Sequence, residues 1–156
     1  MKIQWKKLLI ALALPLAAGG LSALVSGGMS GSQELVRPPL SPPGWVFPVA
    51  WTILYLLMGL GSYLVFTADA PLAQKKRALT LYAIQLFLNF LWSPVYFGLE
   101  WRLVAFFILL ALWVAVLLTM RSFSAINERA GDLLLPYILW LTFAAYLNLG
   151  VWYLNR

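Results

Sequence analysis

Residues 45–66 read WVFPVAWTILYLLMGLGSYLVF, 22 positions without one charged side chain. A hydrocarbon core about 30 Å thick takes roughly 20 apolar residues as helix, so this stretch is long enough to cross it. Four further segments meet the same criterion, at about 5–27, 79–99, 103–120 and 133–154. Polar or helix-breaking connections separate them. Glu34, Asp69, Glu100, Glu128 and Asp132 all fall in those connections or at helix ends. The expectation is an all-α integral membrane protein, one domain over residues 1–156 built as a bundle of five transmembrane helices.

Composition agrees. Of 156 residues, 63% are apolar and 10% charged, where a soluble domain carries about 25% charge; the mean hydropathy is +0.86. The chain has neither Cys nor His. That removes disulfide frameworks, thiolate metal sites, Cys nucleophiles, Ser-His-Asp triads and imidazole-ligated haem from consideration, so no metal site and no required cofactor are expected. The net charge of +6 would suggest nucleic acid in a soluble chain, but here it reports topology. Lys2, Lys6, Lys7, Lys75, Lys76, Arg77, Arg121 and Arg129 share one side of a five-span bundle, against Arg37, Arg102 and Arg156 on the other. The positive-inside rule then predicts a cytoplasmic N-terminus and an outside C-terminus. The start imitates a secretory signal, with Leu21-Ser22-Ala23 as a weak cleavage pattern. Its apolar run continues through Ala23-Leu24-Val25, long for a signal, and reads as a retained first span. Ala18, Ser22 and Ser26 give that span small-residue spacing suited to close helix contact. Lacking a long basic tail or transit peptide, the chain is expected in the bacterial cytoplasmic membrane, with the mitochondrial outer membrane as the alternative.

Polar and aromatic residues inside spans carry the functional signal. Trp51, Tyr55, Gly59 and Ser62 share one face of the second span. Gln85, Asn89, Trp92, Ser93 and Tyr96 do so on the third, and Trp140, Ala144 and Asn148 on the fifth. Facing stripes of this kind make an aromatic-walled cavity with neutral hydrogen-bonding groups, suited to a flat, largely apolar ligand. The same amides also serve as contacts between helices. Trp5, Trp45, Trp101 and Trp152 sit at span ends as interfacial anchors, whereas Trp51, Trp92, Trp113 and Trp140 lie deeper and are candidates for ligand contact. Pro15, Pro48, Pro94 and Pro136 lie inside or at the entrance of spans, where each is expected to remove a hydrogen bond and favour a kink. Pro38, Pro39, Pro42 and Pro43 stiffen the first loop, which is either a lid or a tight connection.

Three blocks, PPLSPPGWVFPVAWTILYLLMGLGSYLVF from Pro38, LFLNFLWSPVYFG from Leu86 and LLLPYILWLTFAAYLNLGVWYLN from Leu133, resemble the TspO/MBR family of tryptophan-rich sensory proteins and translocator proteins. The resemblance spans about residues 37–155. It implies a five-helix bundle, often a homodimer, that binds porphyrins, sterols and drug-like isoquinoline or benzodiazepine-type compounds in a membrane pocket. With the stripes above, it points to Phe47, Trp51, Tyr55, Asn89, Trp92, Trp140, Ala144, Leu147 and Asn148 as ligand-binding residues. Trp51 and Trp140 resemble the pair linked to light-dependent porphyrin breakdown, which would make them the catalytic residues if the chain is an enzyme. The family's sterol pattern is matched at Leu149, Tyr153 and Arg156. The first loop departs from the family in lacking the Trp-Tyr pair many members carry.

The functional expectation is therefore a receptor or sensor for protoporphyrin-like ligands, sandwiched between Trp51 and Trp140, with Arg37 near the mouth receiving the carboxylates. A passive carrier of tetrapyrroles or lipids is the alternative. Ion-coupled transport is disfavoured because no span holds a carboxylate. The lipid bilayer is the other partner, nucleic acid is not one, and the alanine faces of the first or third span (Ala78, Ala83) are the guesses for a dimer surface.

Overall fold

The computed structural model describes residues 2–26 and 35–156. Five helical segments in it are long and apolar enough to cross a membrane, and no strand occurs among the described residues. The helices are α1 (Trp5–Val25), α2 (Val46–Phe66), α3 (Leu72–Ser93), α4 (Arg102–Ile126), a short α5 (Glu128–Asp132) and α6 (Leu135–Leu154). A wide π-type turn, Pro94–Gly98, prolongs α3. The expected end of the first span at Gly27, and Glu34, lie outside the described residues.

Two helix boundaries differ from the hydropathy reading. The third span was expected from 79, but α3 begins at Leu72, with Pro71 at its N-cap. Gln74, Lys75, Lys76 and Arg77 are good helix formers; hydropathy marks where the helix enters hydrocarbon, not where it starts. Likewise the fourth was expected to stop at 120, but α4 runs to Ile126. Phe123 is fully buried, its ring 5.8 Å from that of Tyr82 on α3, so packing carries α4 beyond the apolar run. Asn127 then breaks the helix in extended geometry, and its side-chain oxygen accepts from the Arg129 N–H, capping α5.

The prolines also need correction. Pro48 and Pro136 lie in the first turns of α2 and α6, where a backbone N–H has no partner within the helix, so they interrupt nothing. Pro15 is inside α1. Pro94 opens the wide turn, closed by the Leu99 N–H donating to the Pro94 carbonyl at 2.9 Å.

Around the bundle the order is α1, α2, α6, α4, α3. Close backbone packing joins α1 to α2 and α3, and α4 to α3 and α6, whereas α2 and α6 meet mainly through large aromatic side chains. Without a hydrophobic force between helices in lipid, close approach depends on small residues. Gly59 shows it: a Cβ there would lie 2.6 Å from the carbonyl oxygen of Ala11 on α1. Ser22 donates to the Phe90 carbonyl at 2.7 Å and Ser26 to the Ser93 hydroxyl at 2.9 Å, binding the end of α1 to α3. The small-residue stripe of the first span is therefore an internal contact. Ala78, a guess for a dimer surface, is fully buried in the core, whereas Ala83 is exposed.

Gly59→Val should lower stability by about 1–3 kcal/mol, because a β-branched side chain must displace α1. Gly20, with nothing within 4 Å of an added Cβ, is the control. Gly20→Ala should leave stability unchanged or raise it by up to ~1 kcal/mol. Thermal unfolding in one detergent, followed by circular dichroism, reads both.

Candidate functional site: an aromatic cavity between α2, α3 and α6

A cavity of about 410 Å³ opens beneath the first loop, between α2, the end of α3 and α6, within the range that accepts drug-sized molecules. Phe47 and Trp51 come from α2, Trp92, Tyr96 and Phe97 from α3 and its wide turn, and Trp140, Ala144, Leu147, Asn148 and Val151 from α6. Leu35, Arg37, Ser41 and Gly44 close it from the loop. The long helix α4 contributes no side chain to this lining.

Trp51 and Trp140 do meet, but not as the two plates of a sandwich. Their ring centroids are 6.4 Å apart and their planes 86° from parallel. A flat guest between two rings needs parallel planes roughly 7 Å apart, two carbon contacts of ~3.5 Å. The two indoles instead form a corner, an edge-to-face pair of the favoured kind. Phe47 extends it, its ring centroid 6.0 Å from that of Trp140. The opposite wall is Trp92 stacked on Tyr96 (5.0 Å, 25°), with Phe97 edge-on to both. Phe97 was missed by the sequence reading, and Tyr96 was on a stripe but not among the expected ligand residues. The regular period already sets Tyr96 on the face of Trp92, whereas Phe97, five residues on, reaches the cavity through the extra residue of the π-type turn.

Two expected ligand residues stand elsewhere. Tyr55 and Asn89 lie about one helical turn deeper than Trp51 and Trp92, behind the cavity wall. The Tyr55 hydroxyl donates to the Asn89 Oδ1 at 3.0 Å, and the Asn89 Nδ2 donates to the Tyr137 hydroxyl at 2.6 Å. That hydroxyl in turn donates to the Gln85 Oε1 at 2.8 Å. This layer is the floor of the cavity. The Tyr55 ring reaches over Gly19 of α1, where any Cβ would collide with it, and stacks on Trp51 at 5.7 Å. Trp113 is not a cavity residue either: its Nε1 donates to the Thr142 hydroxyl on the outer surface of α4 and α6.

Asn148 serves both readings. It lines the cavity, accepts from the Trp92 Nε1 at 2.9 Å, and donates to the Arg102 carbonyl at 2.8 Å, fixing the Trp92 ring against α6 and the start of α4. Trp140 differs: its Nε1 is buried and has no hydrogen-bond partner among the described residues.

The first loop is strapped to α6. Val36 and Asn155 exchange two hydrogen bonds, at 3.0 and 2.8 Å. Pro38 is buried against Gly150, where a Cβ would lie 2.7 Å from the proline ring. The Tyr146 hydroxyl donates to the Pro39 carbonyl at 2.7 Å. Arg37 lies between these attachments, exposed and on the cavity lining. Leu149, Tyr153 and Arg156 lie outside this lining, and the Arg156 guanidinium covers the Tyr153 ring at 4.4 Å.

With this geometry in view, comparison with known proteins is specific. The TspO/MBR family matches residues 11–154. A tryptophan-rich sensory protein of Cereibacter sphaeroides is 41% identical over 123 residues, 79% of this chain and 75% of that one. The protein CrtK of Rhodobacter capsulatus is 35% identical over 138 residues, 88% and 86% of the two chains. The human translocator protein is 38% identical over 129 residues, 80% and 75%. A multi-pass membrane chain with this match over nearly its whole length belongs to the TspO/MBR family.

Proposed function

We propose that the protein is a membrane receptor for flat, largely apolar ligands, with carboxylated tetrapyrroles as its main class, bound in the cavity beneath the first loop. One observation carries the reading: an aromatic corner whose buried Trp140 Nε1 has no acceptor among the described residues, with the Arg37 cation at the rim. Such a site asks for a planar π-face to stack, one acceptor near Trp140 and an anionic group that stays at the membrane surface. A porphyrin supplies all three; isoquinoline- or benzodiazepine-type compounds supply the first two. Among the described residues the cavity is lined by no His, Cys, Asp or Glu, and stacking calls for none. Passive carriage is the weaker reading, because the Tyr55–Asn89–Tyr137–Gln85 layer closes the floor. The names of the relatives, a sensory protein and a translocator protein, suit a receptor in a bilayer. We take the chain to sit in the bacterial cytoplasmic membrane with its lysine-rich end inside, and to associate as a homodimer.

A second reading rests on the contact between Trp51 and Trp140. An excited porphyrin stacked at this corner takes one electron from an indole, giving a porphyrin radical anion and an indole radical cation. Dioxygen takes the electron from the anion to become superoxide, the indole radical cation regains an electron from the neutral macrocycle, and superoxide adds to the porphyrin radical cation so formed. The chain needs no acid or base for this step.

Three outcomes are expected. Trp140→Phe should weaken protoporphyrin binding about three- to tenfold through loss of one hydrogen bond, and Trp51→Phe together with Trp140→Phe should weaken it further; quenching of the remaining tryptophan fluorescence reads both, and unchanged affinity in the double variant rejects the site. Arg37→Gln should cost roughly tenfold for the free acid and leave the porphyrin dimethyl ester unaffected, with the difference shrinking at high salt. Under illumination in air, the purified protein should consume porphyrin faster than the double Trp variant; equal rates of absorbance loss mean bleaching free of the protein.

A further inference from the structure

Away from the cavity, α1 and α3 diverge toward the lysine-rich end of the bundle. Their contact is held at the other end by the Ser22 hydroxyl on the Phe90 carbonyl. Between them runs a groove of about 700 Å³, floored by Ser62, Tyr63 and Phe66 of α2. Its walls are Lys7 to Ala18 on α1 and Leu79 to Phe90 on α3. Each wall spans eleven residue steps, roughly 16 Å of helix at 1.5 Å per residue. That is about half of a ~30 Å hydrocarbon core. The groove is closed at its deep end by the Ser22–Phe90 contact, and it is wholly apolar except at its mouth and at Ser62, Tyr63 and Tyr82. Ala11, Ala18 and Ala83 make it by leaving room where larger side chains would fill the wedge.

The mouth is cationic. Lys7 lines it, its Nζ 5.5 Å from the centre of the Phe66 ring. Lys75 stands one turn beyond Leu79 on the same face of α3, on the opposite lip. This end of the bundle holds Lys2, Lys6, Lys7, Lys75, Lys76, Arg77, Arg121 and Arg129 against Asp69, Glu128 and Asp132. Inside, Tyr82 lies about 4.5 Å deeper than Leu79. Its hydroxyl is buried beside that of Ser62, which donates to the Gly59 carbonyl and keeps its lone pairs free to accept.

We propose that this groove seats one acyl chain of an anionic phospholipid from the leaflet at the lysine-rich end, with the phosphate held between Lys7 and Lys75. The length matches one leaflet, the blind end stops the chain at mid-membrane, and the two lysines select headgroup charge. The site is independent of the aromatic cavity and of its ligand.

The test uses the full chain in vesicles of phosphatidylglycerol or phosphatidylcholine with identical acyl chains, released gently into detergent and weighed by native mass spectrometry. Phosphatidylglycerol should be retained in preference to phosphatidylcholine. Lys7→Gln with Lys75→Gln should cut that retention about thirtyfold, the effect of two cations removed from beside an anionic headgroup. Ala83→Trp, which fills the exposed wall of the groove, should abolish it. Porphyrin quenching in the cavity should be unchanged in both variants. Equal retention of the two lipids, or undiminished phosphatidylglycerol in the lysine variant, overturns the proposal. So does an Ala83→Trp protein that keeps its lipid but loses a second copy of the chain, which would make the groove a protein contact.

Discussion

The hydroxyl of Tyr137, buried to 1% exposure, accepts from Asn89 and donates to Gln85, while Tyr55 donates to the same Asn89. Hydrocarbon offers no water to replace a lost partner, so each of these groups depends on the others being in place. The Gln85 Nε2 ends the chain against the Met58 sulfur at 3.8 Å. Through these side chains α2, α3 and α6 are held at one spacing at mid-bundle. Removing any one member leaves a buried donor or acceptor unsatisfied, which costs more than the bond itself contributes.

That layer sets the site above it. Tyr55 stacks on Trp51 and Tyr137 meets Trp51 edge-on at 6.3 Å, so the polar floor orients the indole corner. Asn148 repeats the device one level up by holding Trp92. The Trp140 N–H, by contrast, is buried with no partner among the described residues. The α2–α6 pair lacks the close backbone approach seen at Gly59, and the space between them is what the aromatic rings line. Small residues close the α1–α2 seam and large ones hold α2 and α6 apart; the cavity is the result of that asymmetry.

The bundle's two ends then differ in kind. At one end a proline-rich strap crosses the cavity and is fastened to α6 at Asn155, Gly150 and Tyr146. Leu40 in that strap takes a left-handed backbone (φ 71°), a conformation that an L side chain adopts only where the surroundings enforce it. The Ser41 hydroxyl supports the turn by donating to the Pro38 carbonyl at 2.7 Å. The first loop is therefore built as a cover, which its prolines alone left undecided between lid and connector. At the other end α1 and α3 separate under a cluster of basic residues, leaving an apolar wedge in contact with the bilayer.

The number of spans, their approximate positions, and the facing of Trp51, Trp92, Trp140 and Asn148 toward one interior were legible in the chain itself, because hydropathy and the 3.6-residue period are local properties. The family was legible too, since it rests on ordered blocks of tryptophan and proline. What the linear order did not contain was depth. Tyr55 and Asn89 share faces with Trp51 and Trp92, yet one helical turn separates a cavity wall from a cavity floor, and only the partners on α6 decide which is which. Nor did it contain the angle between two indoles, which turned an expected sandwich into a corner, or the wide turn at Pro94 that brings Phe97 in beside Tyr96. Those features arise where three helices constrain one another at once, and periodicity along a single helix carries no information about them.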